Sequence, residues 1–166
     1  DQDRDRKAAA ILRTLRKVCG GDVVRGRWLD VGCGCGGIAR ALADHVDEVD
    51  GIDPERWGRW ADYQNDRANL RFSVGECDGS AIPLSHRAYD VVVCNQVYEH
   101  VRDPSRLIAN IHGVLADTGV CYFAGPNLLW PIEPHVHWPF VHWLPRSFAL
   151  RLMDAMGSQR MSDLDA

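Results

Sequence analysis

Residues 29–37 read Leu-Asp-Val-Gly-Cys-Gly-Cys-Gly-Gly, and this stretch decides the fold. Trp28, Leu29 and Val31 make a short apolar strand. Gly32, Gly34 and Gly36 follow at alternate positions and let the chain turn tightly. Ile38, Ala39, Leu42, Ala43 and Val46 then recur at helical spacing. A strand, a glycine loop and a helix start make a place where a ligand can approach bare backbone and its N–H groups. Asp30, at the strand end, adds a negative charge there. The plain alternative is a strand-to-helix turn with no ligand, but three spaced glycines cost backbone entropy that such a turn does not require.

Working outward, Ala8, Ile11, Leu12, Leu15 and Val18 predict an amphipathic helix over 4–19, stopped by Gly20-Gly21. Arg4, Arg6, Lys7, Arg13, Arg16 and Lys17 lie largely on other faces and read as a solvated surface, with contact to an acidic substrate or lipid surface as the alternative. The opening strand spans 27–32 and its helix roughly 36–46. A second strand covers 48–53, and Pro54 opens a helix to about Ala68. Residues 70–75 alternate as a third strand. Tyr89 to Cys94 is a nearly continuous apolar run, as expected of a central parallel strand buried on both faces. Asp103-Pro104 caps a helix, Val120 to Ala124 is a fifth strand, and 146–156 reads as a last helix. Strands alternating with helices predict an α/β fold, a doubly wound parallel sheet in the order 3-2-1-4-5. Ligands of such sheets bind beyond the carboxyl ends of the strands.

A chain of 166 residues fits one domain, here 1–22 as N-terminal helix, 25–127 as core and 128–166 as a loop and helix. A net charge of −4 argues against nucleic-acid binding by bulk electrostatics. No run reaches the length of a membrane span, and no signal-peptide pattern opens the chain. Six cysteines without a C-x-x-C pair read as free thiols in a reducing cytoplasm.

Two ligands suit the loop. Gly32, Gly34 and Gly37 also fit the G-x-G-x-x-G pattern for a dinucleotide pyrophosphate. A carboxylate two residues before the first glycine repels a pyrophosphate and suits a cationic ammonium group. Here the chain resembles the class I S-adenosylmethionine-dependent methyltransferases of small-molecule type, whose first motif is a D/E-x-G-x-G-x-G loop. The resemblance spans about residues 25–127 through four motifs in order. It implies a cofactor site built from Asp30, Gly32, Cys33, Gly34, Gly36, Asp53, Pro54, Asp78, Gly79, Asn95 and Gln96. Asp53, at the end of the second strand, would accept the ribose hydroxyls; it also reads as a cap before Pro54. Asp78, with Glu76 as its rival, would accept from the adenine amine, although Asp78-Gly79 also reads as a turn.

The resemblance implies S-adenosylmethionine as methyl donor, S-adenosylhomocysteine as product, and in-line displacement by a nucleophilic acceptor atom. His100, just beyond the fourth strand, is the nearest candidate base, against a packing role. The aromatic, proline-rich segment 128–145 reads as an ordered loop over a pocket. In it Glu133, His135 and His137 are candidate contacts to a small-molecule or glycan- or lipid-linked acceptor, and their spacing matches no defined zinc pattern. The family normally adds two further strands, so C-terminal strands are expected to be missing. A non-catalytic cofactor-binding or regulatory module and an NAD(P)-dependent oxidoreductase are the competing readings, and a homodimer is left open.

Overall fold

The computed structural model describes residues 2–21, 25–77, 89–126 and 143–155. The chain divides into two compact units, Asp1–Ala124 and Gly125–Ala166. In the first, helix α1 (Gln2–Cys19) is followed by β1 (Arg27–Val31), α2 (Gly37–Ala43), β2 (Glu48–Asp53) and α3 (Arg59–Asp66). Then come β3 (Leu70–Val74), β4 (Tyr89–Asn95), α4 (Pro104–Val114) and β5 (Leu115–Ala124). The second unit contributes α5 (Arg146–Ala155), whose first turn is tied by Phe148 and Ala149 amides donating to the Pro145 carbonyl.

The strands form one parallel sheet in the order β3-β2-β1-β4-β5, as the alternation of strands and helices predicts. The period of two explains its layers. Trp28 faces the side covered by α1 and α2, with Ile11, Leu15, Ala39, Leu42, Val91 and Val93. Leu29 and Val31 face the other side, with Ile52, Val92, Leu107 and Ile111 of α4. Strands β1 and β4 are therefore buried on both faces, which is why β4 reads as a nearly continuous apolar run and β1 as a short apolar strand.

Two boundaries differ most from expectation. The helix after β2 begins at Arg59 rather than at Pro54. The Asp53 carboxylate accepts from the Glu55 amide at 3.0 Å and from the Trp57 indole at 3.1 Å, and this holds 54–58 out of the helix. The fifth strand starts at Leu115, directly after α4, and Leu115 already pairs with Tyr89 before an irregularity between Tyr89 and Val91. Gly119 permits this approach, since a Cβ there would lie 2.8 Å from the Tyr89 carbonyl oxygen. At α4 the expected cap is present: Asp103 accepts from the Arg106 amide at 3.0 Å, with Pro104 in the first turn.

A buried polar knot lies toward the amino ends of the strands, away from the site described below. Asp50 accepts from the Tyr89 hydroxyl at 2.7 Å and from Arg27 Nη2 at 2.6 Å, while the Arg27 guanidinium lies 4.8 Å from the centre of the Tyr89 ring. Tyr89→Phe should cost about 1.5–3 kcal/mol of unfolding free energy, the range for a hydrogen bond to a charged group. Urea denaturation measures this, and ligand affinity at the opposite end of the sheet should be unchanged.

Candidate cofactor site

The site is built where β1, β2 and β4 end. The carbonyl of Ile52 accepts from two successive loop amides, Gly32 at 2.8 Å and Cys33 at 3.0 Å. Gly34 donates its amide to Asp53 Oδ2 at 2.8 Å, and Gly36 donates to the Cys33 carbonyl at 3.0 Å. Four N–H groups of the loop are thus spent inside the protein. The sequence reading expects such groups to be open to a ligand; here they fix the loop instead, and an anion such as a pyrophosphate finds few donors. From outside, Trp60 donates its indole N–H to the Gly34 carbonyl at 2.9 Å and stacks on Phe72 at 5.0 Å.

Gly32, Gly34 and Gly36 all have positive φ, as their spacing suggests. At Gly32 a Cβ would also fall 2.6 Å from Val97 Cγ2, so only glycine lets β4's extension close over the loop. Gly34 is the opposite case: a Cβ there would meet nothing within 4 Å, because it borders open space.

That space is a pair of cavities. One, of about 330 Å³, is lined by Asp30, Gly32, Cys33, Gly34, Ile38, Asn95 and Gln96, with Arg4 and Lys7 of α1 on its rim. The other, of about 270 Å³, is lined by Gly32, Asp53, Pro54, Glu76, Cys77, Gln96, Val97, His100, Val101 and Arg102. Gly32 and Gln96 belong to both. Gln96 is the one described non-glycine residue with positive φ, at 58°, a strained geometry found at functional turns. Asn110 of α4 donates to the Cys77 carbonyl at 3.0 Å and holds that wall.

Asp30 is 3% exposed, and its Oδ2 has no hydrogen-bond partner. Burial raises its pKa to about 7, with Asp53 adding to the rise, while the Ala39 amide and Arg4 act the other way. A buried carboxylate with an unused oxygen beside a cavity is suited to a cation that brings its own N–H donors. Asp53, 8% exposed, is spent differently: its three donors are the amides of Gly34 and Glu55 and the Trp57 indole. Its two expected roles, hydroxyl acceptor and local cap, therefore draw on the same oxygens, and what it caps is a turn and not α3. Burial and the nearby Asp30 and Asp53 push the Cys33 thiol up, so it stays a neutral lining group rather than a nucleophile.

Of the expected residues, Asp30, Gly32, Cys33, Gly34, Asn95 and Gln96 meet around one cavity, and Gly32, Asp53, Pro54, Gln96 and His100 around the other. Gly36 lines neither and acts as the left-handed residue before α2. The His100 side chain is half-exposed, its Nε2 4.0 Å from Glu99 Oε1. Asp78, Gly79, Glu133, His135 and His137 lie outside the described residues. Sequence reading missed Trp57, Trp60 and Phe72 here, and took Arg4 and Lys7 only as members of a basic helix face.

A parallel sheet in this order, with a glycine loop after its central strand and a carboxylate at the end of each of the neighbouring strands β1 and β2, defines the class I methyltransferase fold. Residues 1–159 match the methyltransferase domain family, and the chain belongs to that family. It is similar to the ubiquinone biosynthesis O-methyltransferase of Coxiella burnetii, 31% identical over 100 residues, covering 60% of this chain and 43% of that protein. The enzyme of the same name from Psychrobacter arcticus is 32% identical over 105 residues, covering 60% and 40%. The chain thus spans less than half the length of these curated relatives. Among solved structures, an S-adenosylmethionine dependent methyltransferase from Mesorhizobium loti superposes with TM-score 0.60 at 21% identity, over 73% of this chain and 55% of that one. The [4+2]-cyclase SpnF superposes with TM-score 0.58 at 27% identity, over 70% and 43%. Among the described residues, no helix is long and apolar enough to cross a membrane.

Burying Asp30 sets a pH signature. Its folded pKa of about 7 stands above the ordinary value of 3.8, so the stabilising bound proton is fully held below about pH 4 and lost as pH rises through 7. Asp30→Asn keeps the shape without the charge. Its melting temperature should exceed that of the wild type at pH 8, and the difference should vanish near pH 4 in a thermal-shift series.

Proposed function

We propose that residues 1–166 act as one S-adenosylmethionine-dependent methyltransferase domain, carrying the methyl group to a small-molecule or glycan- or lipid-linked acceptor. The observation that carries the reading is the unsatisfied, buried Asp30 carboxylate at one end of the paired cavities, with Asp53 at the other. The ligand this arrangement suits is cationic at one end and a diol at the other. The cofactor's sulfonium supplies an already activated methyl group, so alignment and exclusion of water are the protein's main tasks.

The roles follow from position. Asp30 receives the ammonium of the amino-acid end, and Arg4 on the rim suits its carboxylate, since a guanidinium matches carboxylate geometry. Asp53 receives the ribose, and Glu76, Cys77 and the Asp78-Gly79 stretch receive the adenine. Gln96, which lines both cavities, and Asn95 are the neighbours proposed for the reacting carbon. His100 is the candidate base for an acceptor hydroxyl, a use favoured by the O-methyltransferase names of the relatives. Glu133, His135 and His137 are assigned to the acceptor. Six free thiols favour a reducing, cytoplasmic setting. The likeness to a [4+2]-cyclase supports a second reading, in which the fold serves a reaction other than methyl transfer.

Calorimetry with the full chain tests the reading. S-adenosylhomocysteine should bind and NADH should not at comparable concentration; the reverse result overturns it. Asp53→Ala should lower S-adenosylhomocysteine affinity at least tenfold, since hydrogen bonds to a charged group are worth about 1.5–3 kcal/mol each and ~1.4 kcal/mol is tenfold. Unchanged affinity would reduce Asp53 to a turn former.

A further inference from the structure

A carboxylate has about four lone-pair sites. Asp53 already fills three of them, two on Oδ1 with the Glu55 amide and the Trp57 indole, and one on Oδ2 with the Gly34 amide. A ribose diol brings two donors, and a single site remains. One of the present donors therefore has to leave when a diol is held by both oxygens.

Two of the three are fixed. The Gly34 amide belongs to a loop pinned by Ile52 and by Trp60, and the Glu55 amide lies two residues along the backbone from Asp53 itself. The third is a side chain. Trp57 is 41% exposed, an unusual state for so large an apolar group. Its backbone carbonyl is held by the Trp60 amide at 3.2 Å, so the indole can rotate away while the main chain stays in place. Pro54 next to Asp53 lines the same cavity, which puts this exchange at the mouth of the nucleoside half.

We infer that Trp57 is a displaceable latch on the nucleoside subsite: its indole N–H occupies an acceptor of Asp53 until a ribose diol replaces it. The latch satisfies the carboxylate in the free protein and lowers affinity for any diol-bearing ligand. It rests on the cofactor reading above and adds to it an affinity-setting residue that does no chemistry.

The test uses the full chain with Trp57→Phe, which keeps an aromatic ring and removes the N–H donor. Calorimetry should show S-adenosylhomocysteine and adenosine binding about three- to tenfold more tightly to W57F than to the wild type, the worth of one net hydrogen bond. Adenine, which has no diol, should bind both equally. In wild-type protein carrying 5-fluorotryptophan, the ¹⁹F resonance that W57F lacks should shift on saturation with adenosine. Equal or weaker binding of S-adenosylhomocysteine to W57F, or an unmoved Trp57 resonance in adenosine-saturated protein, overturns the latch and leaves the cofactor reading standing. If neither S-adenosylhomocysteine nor adenosine binds the wild type or W57F, both fall together.

Discussion

One carbonyl oxygen, that of Ile52, anchors the functional end of the sheet. Taking the amides of both Gly32 and Cys33, it fastens the glycine loop to the neighbouring strand at its first two residues. Everything beyond depends on this. Gly34 is thereby brought to Asp53, Cys33 is tucked inside, and Val97 can lie over Gly32. The strand end carrying Asp30 is fixed too, and with it a buried carboxylate beside the cavity. Four of the loop's own donors are used within the protein, and this fixes its course.

The cost of that arrangement is concentrated at Asp30. A carboxylate at 3% exposure with an unused oxygen opposes folding at neutral pH. Such a group is kept where a ligand completes it, so stability and binding pull against each other at one side chain. The Asp50 knot shows the contrast. Asp50 is almost as buried, yet Arg27 and Tyr89 satisfy it, and it belongs to the scaffold alone.

The sheet order was legible because it rests on local patterns. The apolar run of β4, the alternation in β1 and the Asp103-Pro104 cap each act within a few residues. Asp30 and Asp53 were legible as strand-end carboxylates beside glycines. What escaped are contacts made across the fold. Arg4 and Lys7 lie on a helix whose basic residues read mainly as a solvated face, and nothing near them in sequence says which of them line the Asp30 cavity. Trp60 and Phe72, stacked behind the loop, read only as aromatic residues of a helix and a strand. The late start of α3 escaped because proline after a strand signals a first helical turn, while a side-chain bond from Asp53 overrode that signal.

The two cavities have Gly32 and Gln96 in common, so the proposed cofactor site is two neighbouring chambers with a shared wall. A ligand that spans both behaves as two tethered fragments. Once one end is seated, the other faces its chamber at an effective concentration set by a tether of a few bonds, in the millimolar range or above for short linkers. Weak recognition in each chamber then suffices for firm retention of the whole, while either fragment alone loses the advantage and departs quickly. Gln96, held in its strained turn, borders both chambers.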